Sequence, residues 1–333
     1  KVLMERNHVR FYKTPLYGGN GMQRIIQQWK YRRYVLEMLK NEYVKETTYL
    51  WLLHSETVSL FSAYLDKYDV ISHLFEFKNP TQKIAYRLLN PCYPFEKNLK
   101  KSKKVICCEY NRAHITKSIY DLDKVPYILP NKPYNGNVQI AQSLPFSIQE
   151  IISKYRNKKI ILYQGVFIPE RRVDYFVRAV NSLPDDYILF LMGGENPFYN
   201  ELRDKCQSER IVFLPFLPPP LHLEITKLAH IGILVYVVDG EPINRAINVL
   251  YCAPNKLYEY SMFGIPMISN NLPALNFIFS KIEAGICTDI LLEKNVCEAI
   301  LEIDRNYESY SKASVQLYNS VDMLDIVKGI LRE

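Results

Sequence analysis

The chain has 333 residues, of which 48% are hydrophobic, and its formal net charge is +7. Only 12 residues are glycine and 19 are proline, so the composition excludes a disordered or collagen-like chain and predicts about two globular domains. No apolar run approaches the ~20 residues that would span a bilayer. The charged N-terminal stretch KVLMERNHVR is not expected to be a signal peptide, because it lacks an apolar core.

The cysteines indicate a reducing, cytoplasmic compartment. Their number is seven and their spacing does not repeat, which argues against a disulfide framework. No CxxC pair is present, so a zinc knuckle is not expected.

Positive charge is concentrated in the first part of the chain. Residues 1–130 carry 22 Lys and Arg against 12 Asp and Glu, a net +10, which leaves −3 for 131–333. The basic part includes the aromatic segment at 29–34 and the lysine run at 97–104. Such a surface suits an anionic membrane, an anionic glycan or nucleic acid, or it is simply a solvated face. No nucleic-acid-binding signature accompanies it, so no nucleic-acid partner is predicted.

Taken in chain order, the hydrophobic pattern predicts strands that alternate with helices. Before a polar stretch that begins near residue 131, the expected strands are 2–4, 49–53, 70–75, 105–108 and 126–129, with helices at 23–40 and 81–89. After it, the expected strands are 160–163, 187–192, 211–214, 231–237 and 265–269, and the expected helices are 173–180, 221–229, 255–262, 272–279, 296–303 and 306–331.

This alternation is typical of βαβ units and parallel sheets. We therefore predict an α/β protein with two Rossmann-like domains, at 1–135 and 158–305, facing across a cleft. The polar stretch 136–157 is interpreted as a linker. The helical segment 306–333 could pack back against the first domain. In such folds ligands bind outside the carboxyl ends of the strands.

One candidate motif is Pro254-Asn255-Lys256-Leu257-Tyr258-Glu259. Pro254 can open a helix, and Lys256 then lies in its first turn, where the backbone N–H groups and the helix dipole favour an anion. Glu259 shares the same face and could accept bonds from two adjacent hydroxyls of a ribose. The alternative is an ordinary salt bridge between Lys256 and Glu259 on a helix surface.

A second candidate is the loop after the strand that ends at Gly165. Gly165 permits a close backbone approach, and Arg171 could bind a diphosphate with its planar guanidinium. The alternative is that Arg171 faces solvent at a helix start.

The order of these segments resembles a known family. Gly165 and Arg171 are followed by Phe213–Pro218, by Pro254–Tyr260 and by Gly264–Pro266. This order is similar to the donor-binding half of GT-B glycosyltransferases, and most similar to glycosyltransferase group 1, the bacterial cell-surface polysaccharide enzymes. The resemblance covers 159–290 through motifs and 1–130 through pattern alone.

The resemblance implies a nucleotide-sugar site in the second domain. Arg171 and Lys256 match a basic pair that binds the donor diphosphate, and Glu259 matches a carboxylate that binds the ribose. The donor-binding residues implied are Gly165, Arg171, Phe216, Leu217, Asn255, Lys256, Leu257 and Glu259. The co-substrate would be a UDP or GDP sugar, with no further cofactor.

Two departures leave the stereochemical outcome open between retaining and inverting. Tyr251 stands where many retaining members have a glutamate, eight residues before Glu259. Val166 replaces the basic residue that often follows the first glycine.

The acceptor side offers His73 and Glu76 as candidate bases, since an inverting enzyme needs one near the acceptor hydroxyl. The alternative is a buried His73 and a solvated Glu76. His8, Gly18 and Gly19 are further acceptor-side candidates. No metal is expected, because Asp121-Leu122-Asp123 resembles a turn and a fixed Arg and Lys can neutralise a leaving diphosphate.

The sequence therefore predicts a hexosyltransferase-type, metal-independent enzyme of cell-surface polysaccharide synthesis. It would move a sugar from its nucleotide donor to a glycan or lipid-linked glycan, at the cytoplasmic face of an anionic membrane. Two alternatives remain: a nucleotide-sugar epimerase of the same architecture, and a non-catalytic scaffold with this fold.

Overall fold

The computed structural model describes residues 12–14, 20–61, 66–79, 84, 95–133, 143–206, 208–238 and 243–332. The chain divides into two compact units, Lys1–Ile128 and Leu129–Glu333. The predicted strand at 2–4 and all but one residue of the predicted helix at 81–89 lie outside the described residues, as do His8, Gly18 and Gly19.

The first unit contains a four-stranded parallel sheet. Its strands follow one another in the order β1 (Leu50–Leu53), β2 (Val70–Leu74), β3 (Lys104–Cys107) and β4 (Tyr127–Ile128). Every residue of β2 and β3 is buried, as expected of parallel strands that are covered on both faces. Among the residues that the structure describes, the helices of this unit are α1 (Gly21–Glu42), α2 (Ser55–Phe61), α3 (Phe95–Lys100) and α4 (Tyr110–Tyr120).

The second unit contains a six-stranded parallel sheet in the order β10-β9-β8-β5-β6-β7. Its strands are β5 (Lys159–Gln164), β6 (Tyr187–Gly193), β7 (Ile211–Pro215), β8 (Ile231–Leu234), β9 (Met267–Asn270) and β10 (Gly285–Thr288). The strand order reverses between β5 and β8. Such a switch point is where open α/β sheets bind ligands, outside the carboxyl ends of the strands.

Helices bury both faces of this sheet. Ile160 and Leu162 of β5 belong to one apolar cluster and Ile161 and Tyr163 to another, because successive side chains of a strand point to opposite faces. The helices are α5 (Phe146–Lys154), α6 (Val173–Ser182), α7 (Pro197–Lys205), α8 (Leu223–Thr226), α9 (Ile243–Leu250), α10 (Asn255–Ser261), α11 (Pro273–Lys281), α12 (Glu293–Arg305), α13 (Tyr307–Asn319) and α14 (Met323–Arg332).

The predicted α/β class with parallel sheets is confirmed, but the stretch interpreted as a linker contains helix α5. Ile148 of this helix is buried in the core of the second unit, and Ile151 and Ile152 pack against the same cluster. Their spacing of three and four residues is helical, and the polar residues before 143 obscure it in the sequence.

The predicted helix at 306–331 is two helices, and both are grouped with the second unit. The break is stabilised by Asp322, whose carboxylate accepts hydrogen bonds from the backbone N–H groups of Leu324 and Asp325 at 2.9 and 3.0 Å. This is the capping that short acidic side chains provide at a helix start.

Candidate functional site

A cavity of about 300 Å³ opens at the carboxyl ends of β5 and β6. It lies beside the point where the strand order reverses. Its lining combines apolar side chains with a few polar ones, which is the usual composition of a small-molecule site. The lining residues are Gln164, Gly165, Met192, Gly193, Phe216, Leu217, Pro219, His222, Asn255, Lys256 and Glu259.

Two glycines allow the cavity floor to form. Gly165 has φ +142°, and a Cβ there would lie 3.3 Å from Lys256 Nζ. A Cβ at Gly193 would lie 2.1 Å from the backbone oxygen of Gly165. The missing side chain at Gly193 therefore lets the end of β6 lie against the end of β5, and the missing side chain at Gly165 leaves room for the Lys256 ammonium.

Two cations flank the Tyr236 ring at this edge of the sheet. Arg171 Cζ is 4.2 Å from the ring centroid and Lys256 Nζ is 5.2 Å from it. Arg171 also donates a hydrogen bond to the Val235 oxygen at 3.3 Å. Lys256 forms no hydrogen bond or ion pair with any residue that the structure describes, so its three N–H donors are available to a ligand.

The charge of Lys256 is sensitive to its surroundings. Burial and, after it, the nearby Arg171 guanidinium lower the pKa of Lys256 to about 7, while the Glu259 carboxylate acts in the opposite direction. The free site thus holds Lys256 near the midpoint of its titration at neutral pH. A bound diphosphate would favour the charged form.

Glu259 is held by neighbours on both carboxylate oxygens. Its Oε2 accepts a hydrogen bond from Gln164 Nε2 at 2.7 Å, and its Oε1 lies 3.3 Å from His222 Nε2. The Thr226 hydroxyl donates to Gln164 Oε1 at 2.7 Å. Glu259 forms no salt bridge with Lys256, so the structure does not support the alternative of a plain helix-surface ion pair.

The remaining predicted donor residues occupy different environments. Phe216 is 63% exposed and lines the cavity together with Leu217 and Asn255. Leu257 does not line it: its side chain is buried in the apolar core under α10. Leu257 therefore holds the helix that carries Lys256 and Glu259 rather than touching a ligand in this cavity.

Three polar residues of the site were not singled out from the sequence: Gln164, His222 and Thr226. Gln164 had a readable signal, because it is the one amide in a strand whose last five residues are all buried, and a buried amide needs hydrogen-bond partners. His222 and Thr226 lie about 60 residues further along the chain, and no local pattern connects them with Gln164.

The two predicted base candidates of the first unit, His73 and Glu76, differ in their exposure to solvent. His73 is only 6% exposed, its ring stacks on Phe75 at 4.4 Å, and its Nε2 lies 3.6 Å from Cys108 Sγ. Burial, followed by the nearby His54, lowers the pKa of His73 to about 4. His73 is thus a neutral interior imidazole, whereas Glu76 is exposed.

His54 is an exposed imidazole at the same edge of the first sheet. It follows β1 directly, has φ 68°, and its ring lies 4.6 Å from that of Phe75. A non-glycine residue with this backbone conformation is uncommon and is found more often at functional sites.

The described residues offer neither a cluster of metal ligands nor a helix that could span a membrane. Within the described ranges, no group of three or more His, Cys, Asp or Glu side chains could hold a metal ion. Asp121 ends α4 and accepts a hydrogen bond from Lys100 at 2.8 Å, as expected for a turn. In the same part of the chain, no helix has the length and hydropathy needed to cross a membrane.

Several solved structures resemble the chain over nearly its whole length. HepE from Anabaena, solved with UDP-glucose, has a TM-score of 0.69 at 11% identity, covering 99% of this chain and 87% of that one. A glycosyltransferase from Rickettsia africae has a TM-score of 0.67 at 11% identity, with coverages of 99% and 86%. The α,α-trehalose 6-phosphate synthase of Burkholderia multivorans has a TM-score of 0.63 at 9% identity, with coverages of 95% and 77%.

These similarities define the class of fold. The chain has a two-domain, Rossmann-like GT-B fold, as the resemblance in the sequence implied. No protein-family model and no curated protein matches the sequence. Membership of glycosyltransferase group 1 therefore stays a prediction.

Proposed function

We propose that this protein is a glycosyltransferase that moves a sugar from a UDP or GDP sugar to a glycan or lipid-linked glycan in cell-surface polysaccharide synthesis. One observation carries the proposal: the cavity at the sheet switch point is lined by a lysine with free donors and by an oriented carboxylate, with an arginine close by. Diphosphate and ribose need these two chemistries side by side.

In this proposal the cations stabilise the leaving group. Arg171 and Lys256 would bind the donor diphosphate and offset the negative charge that develops as the bond to the sugar breaks. Glu259 would accept hydrogen bonds from the ribose hydroxyls, and the base would lie along Phe216 and Leu217. The complex of HepE with UDP-glucose supports a nucleotide sugar as co-substrate, since that protein has the same fold. No cofactor is required by this chemistry.

The acceptor is proposed to bind the first unit. Glu76 and His54 are exposed at the carboxyl edge of its sheet and could remove the proton from an acceptor hydroxyl, whereas His73 is buried. Hexosyl transfer without a metal is part of the proposal, with the two cations in the place of a divalent ion.

We further propose a peripheral position at the cytoplasmic face of an anionic membrane, with α1 as the contact. Trp29 is 59% exposed on this helix and lines a groove of about 580 Å³ together with cationic side chains. The cations of the groove are Arg32, Arg33, Lys40 and Lys67, and Arg33 is paired with Glu37 at 2.9 Å.

The lysine run at 97–104 contributes less than the sequence suggested. Lys100, Lys101 and Lys103 form ion pairs with Asp121, Asp66 and Asp69 at 2.8, 2.5 and 3.5 Å. Lys104 is buried. These aspartates are distant from the run in sequence, so the charge count of the run overstated its attraction for anions. The membrane proposal therefore rests on α1.

A two-stage experiment tests the proposed function. Thermal shift and calorimetry with UDP, GDP and their sugars would show whether the protein binds a nucleoside diphosphate, since a bound ligand stabilises the folded state. Product analysis follows, with and without glycan acceptors and with EDTA. We expect donor- and acceptor-dependent transfer that survives EDTA.

The other outcomes identify the alternatives. A change of the sugar without any acceptor indicates the epimerase, and donor binding without turnover on any acceptor indicates the scaffold. Loss of activity that magnesium restores would contradict the metal-independent mechanism. Failure to bind any nucleoside diphosphate would refute the proposed function as a whole.

A further inference from the structure

Two consecutive hydrogen bonds lead from the interior of the second unit to the Glu259 carboxylate. The Thr226 hydroxyl donates to Gln164 Oε1 at 2.7 Å, and Gln164 Nε2 donates to Glu259 Oε2 at 2.7 Å. Gln164 and Glu259 line the cavity, whereas Thr226 is fully buried beneath them. Thr226 does not line the cavity, so it can influence a ligand there only through its neighbours, of which Gln164 accepts its shortest hydrogen bond.

The Gln164 amide is held at both ends, by Glu259 and by the Thr226 hydroxyl. The amide oxygen only accepts and the amide nitrogen only donates, so a flipped amide would place two acceptors against each other at Glu259. The carboxylate therefore sets the direction of the amide, with Nε2 toward Glu259. The Thr226 hydroxyl then anchors the amide oxygen, since its contact with Gln164 at 2.7 Å is shorter than its contact with the His222 oxygen at 3.1 Å.

His222 holds the other oxygen of Glu259. Its Nε2 lies 3.3 Å from Oε1, and its Nδ1 is buried without a hydrogen-bond partner among the described residues. Because a carboxylate accepts, the imidazole proton belongs on Nε2, which leaves Nδ1 as a bare acceptor. Each carboxylate oxygen keeps a further lone pair, so a fixed Glu259 can still accept hydrogen bonds from two adjacent hydroxyls.

We infer that Thr226 and Gln164 are positioning residues, and that they hold Glu259 in the orientation that binds both ribose hydroxyls of the donor. Discrimination between a ribonucleotide and a 2′-deoxyribonucleotide then depends on the Thr226 hydroxyl. This inference rests on the proposed function, because it requires a nucleoside diphosphate in the cavity. A carboxylate that is not held in place must be ordered when the ligand binds, and that lowers affinity for the ligand that needs both oxygens.

Calorimetry with UDP and 2′-deoxy-UDP tests the inference. In Thr226→Val, the affinity for UDP should fall about tenfold, which corresponds to the loss of one well-placed hydrogen bond. The affinity for 2′-deoxy-UDP should change less than about twofold, because this ligand lacks one of the two hydroxyls. Thr226→Ser keeps the hydroxyl group and should therefore keep the wild-type discrimination between UDP and 2′-deoxy-UDP.

Thr116→Val is the matched control, since Thr116 is an equally buried threonine in the first unit. It should leave both affinities unchanged. If Thr226→Val does not fold, Gln164→Met removes the same link at the next position, and the same ratio is measured.

An unchanged ratio of the two affinities in Thr226→Val overturns the inference, whether both affinities are kept or both fall equally. If the wild-type protein binds neither nucleotide, the proposed function fails and the inference fails with it. The two results are distinguishable, because only the first leaves UDP binding to the wild-type protein intact.

Discussion

The ammonium group of Lys256 lies 3.3 Å from the position that a Cβ on Gly165 would occupy. Lys256 lies in the first turn of α10, and its side chain extends to the carboxyl end of β5. Its Nζ is 5.0 Å from the centroid of the Tyr163 ring and 5.2 Å from that of the Tyr236 ring. A cation is thus held against an open backbone position at the sheet edge. An anion that enters the cavity meets the ammonium without a side chain between them.

Substitution of Lys256 and substitution of Glu259 should affect ligand binding differently. Lys256→Ala should weaken binding of UDP or GDP about ten- to a hundredfold and leave the bare nucleoside almost unaffected, because a charge-assisted bond is worth roughly 1.5–3 kcal/mol. Glu259→Ala should weaken nucleoside and nucleotide alike and abolish discrimination against 2′-deoxy ligands. Calorimetry with UDP, GDP, the bare nucleoside and a 2′-deoxy nucleotide measures both effects.

The control is the melting temperature of each free variant. Glu259→Ala leaves the buried Gln164 amide without its acceptor, so a modest loss of stability is expected. Lys256→Ala removes an unpaired, half-buried cation and should not destabilise the protein. Unchanged ligand affinities in both variants would mean that these residues do not bind the donor.

Donor binding should depend on pH through Lys256. Because the pKa of Lys256 in the free protein is about 7, the lysine loses its proton as the pH rises above neutrality, and a diphosphate must then bind together with a proton. The affinity for UDP should therefore fall between pH 7 and 9, by at most about tenfold per pH unit, with proton uptake measurable by calorimetry in different buffers.

Lys256→Arg is the matched control for this pH dependence, since an arginine stays charged over the whole range. The UDP affinity of this variant should change little with pH, even if it is lower than that of the wild-type protein. Stability of the free protein should rise with pH over the same interval, because the unfolded chain, with a lysine pKa near 10.5, binds more protons than the folded one. A steep pH dependence that persists in Lys256→Arg would assign the titration to another group.

Membrane attachment should depend on α1 and not on the lysine run. Combining Lys30→Gln and Lys40→Gln should weaken binding to anionic vesicles, since each basic residue near the surface contributes ~1 kcal/mol. Both side chains are exposed. Flotation with phosphatidylglycerol-containing vesicles measures the effect, which high salt should imitate.

Lys100→Gln combined with Lys101→Gln is the matched control, because these two lysines are already paired with aspartates. The control should keep most of the binding. Equal flotation with purely neutral vesicles, or loss of binding only in the control, would argue against α1 as an electrostatic contact.

A polar cluster at the opposite edge of the second sheet should affect stability alone. Asp304 accepts a hydrogen bond from Lys159 at 2.8 Å and lies 2.7 Å from His230 Nε2, whose ring stacks on Tyr307 at 4.1 Å. Asp304→Asn should lower the free energy of unfolding by about 1–2 kcal/mol, a figure reduced for partial solvent exposure. Urea denaturation measures the loss, and UDP affinity should not change.

The pH dependence of this loss has a definite sign. The hydrogen bonds from Lys159 and His230 outweigh burial and hold the pKa of Asp304 below its ordinary value of 3.8. The stabilisation is therefore complete above about pH 4 and disappears as the pH falls through the lowered pKa. Asp204→Asn, at an exposed position beside Arg203, is the control and should have little effect.

The sequence by itself determined the class of fold and the centre of the candidate site. Strands such as Lys159–Gln164 and Tyr187–Gly193 contain short apolar runs between helical patterns. Such a run can be recognised from residues that are neighbours in the sequence. Lys256 and Glu259 could be paired because both lie on one short helix. Helix α5 escaped prediction because polar residues precede it.

Only the tertiary structure decided which distant residues meet. Thr226 reaches Glu259 through Gln164, whereas His222 contacts Glu259 directly. Asp66 and Asp69 neutralise lysines more than 30 residues away. Whether His73 is buried or exposed was likewise decided by packing between strands. Hydrogen bonds and ion pairs of this kind depend on distances in space that the sheet order sets, and a local sequence pattern contains no information about them.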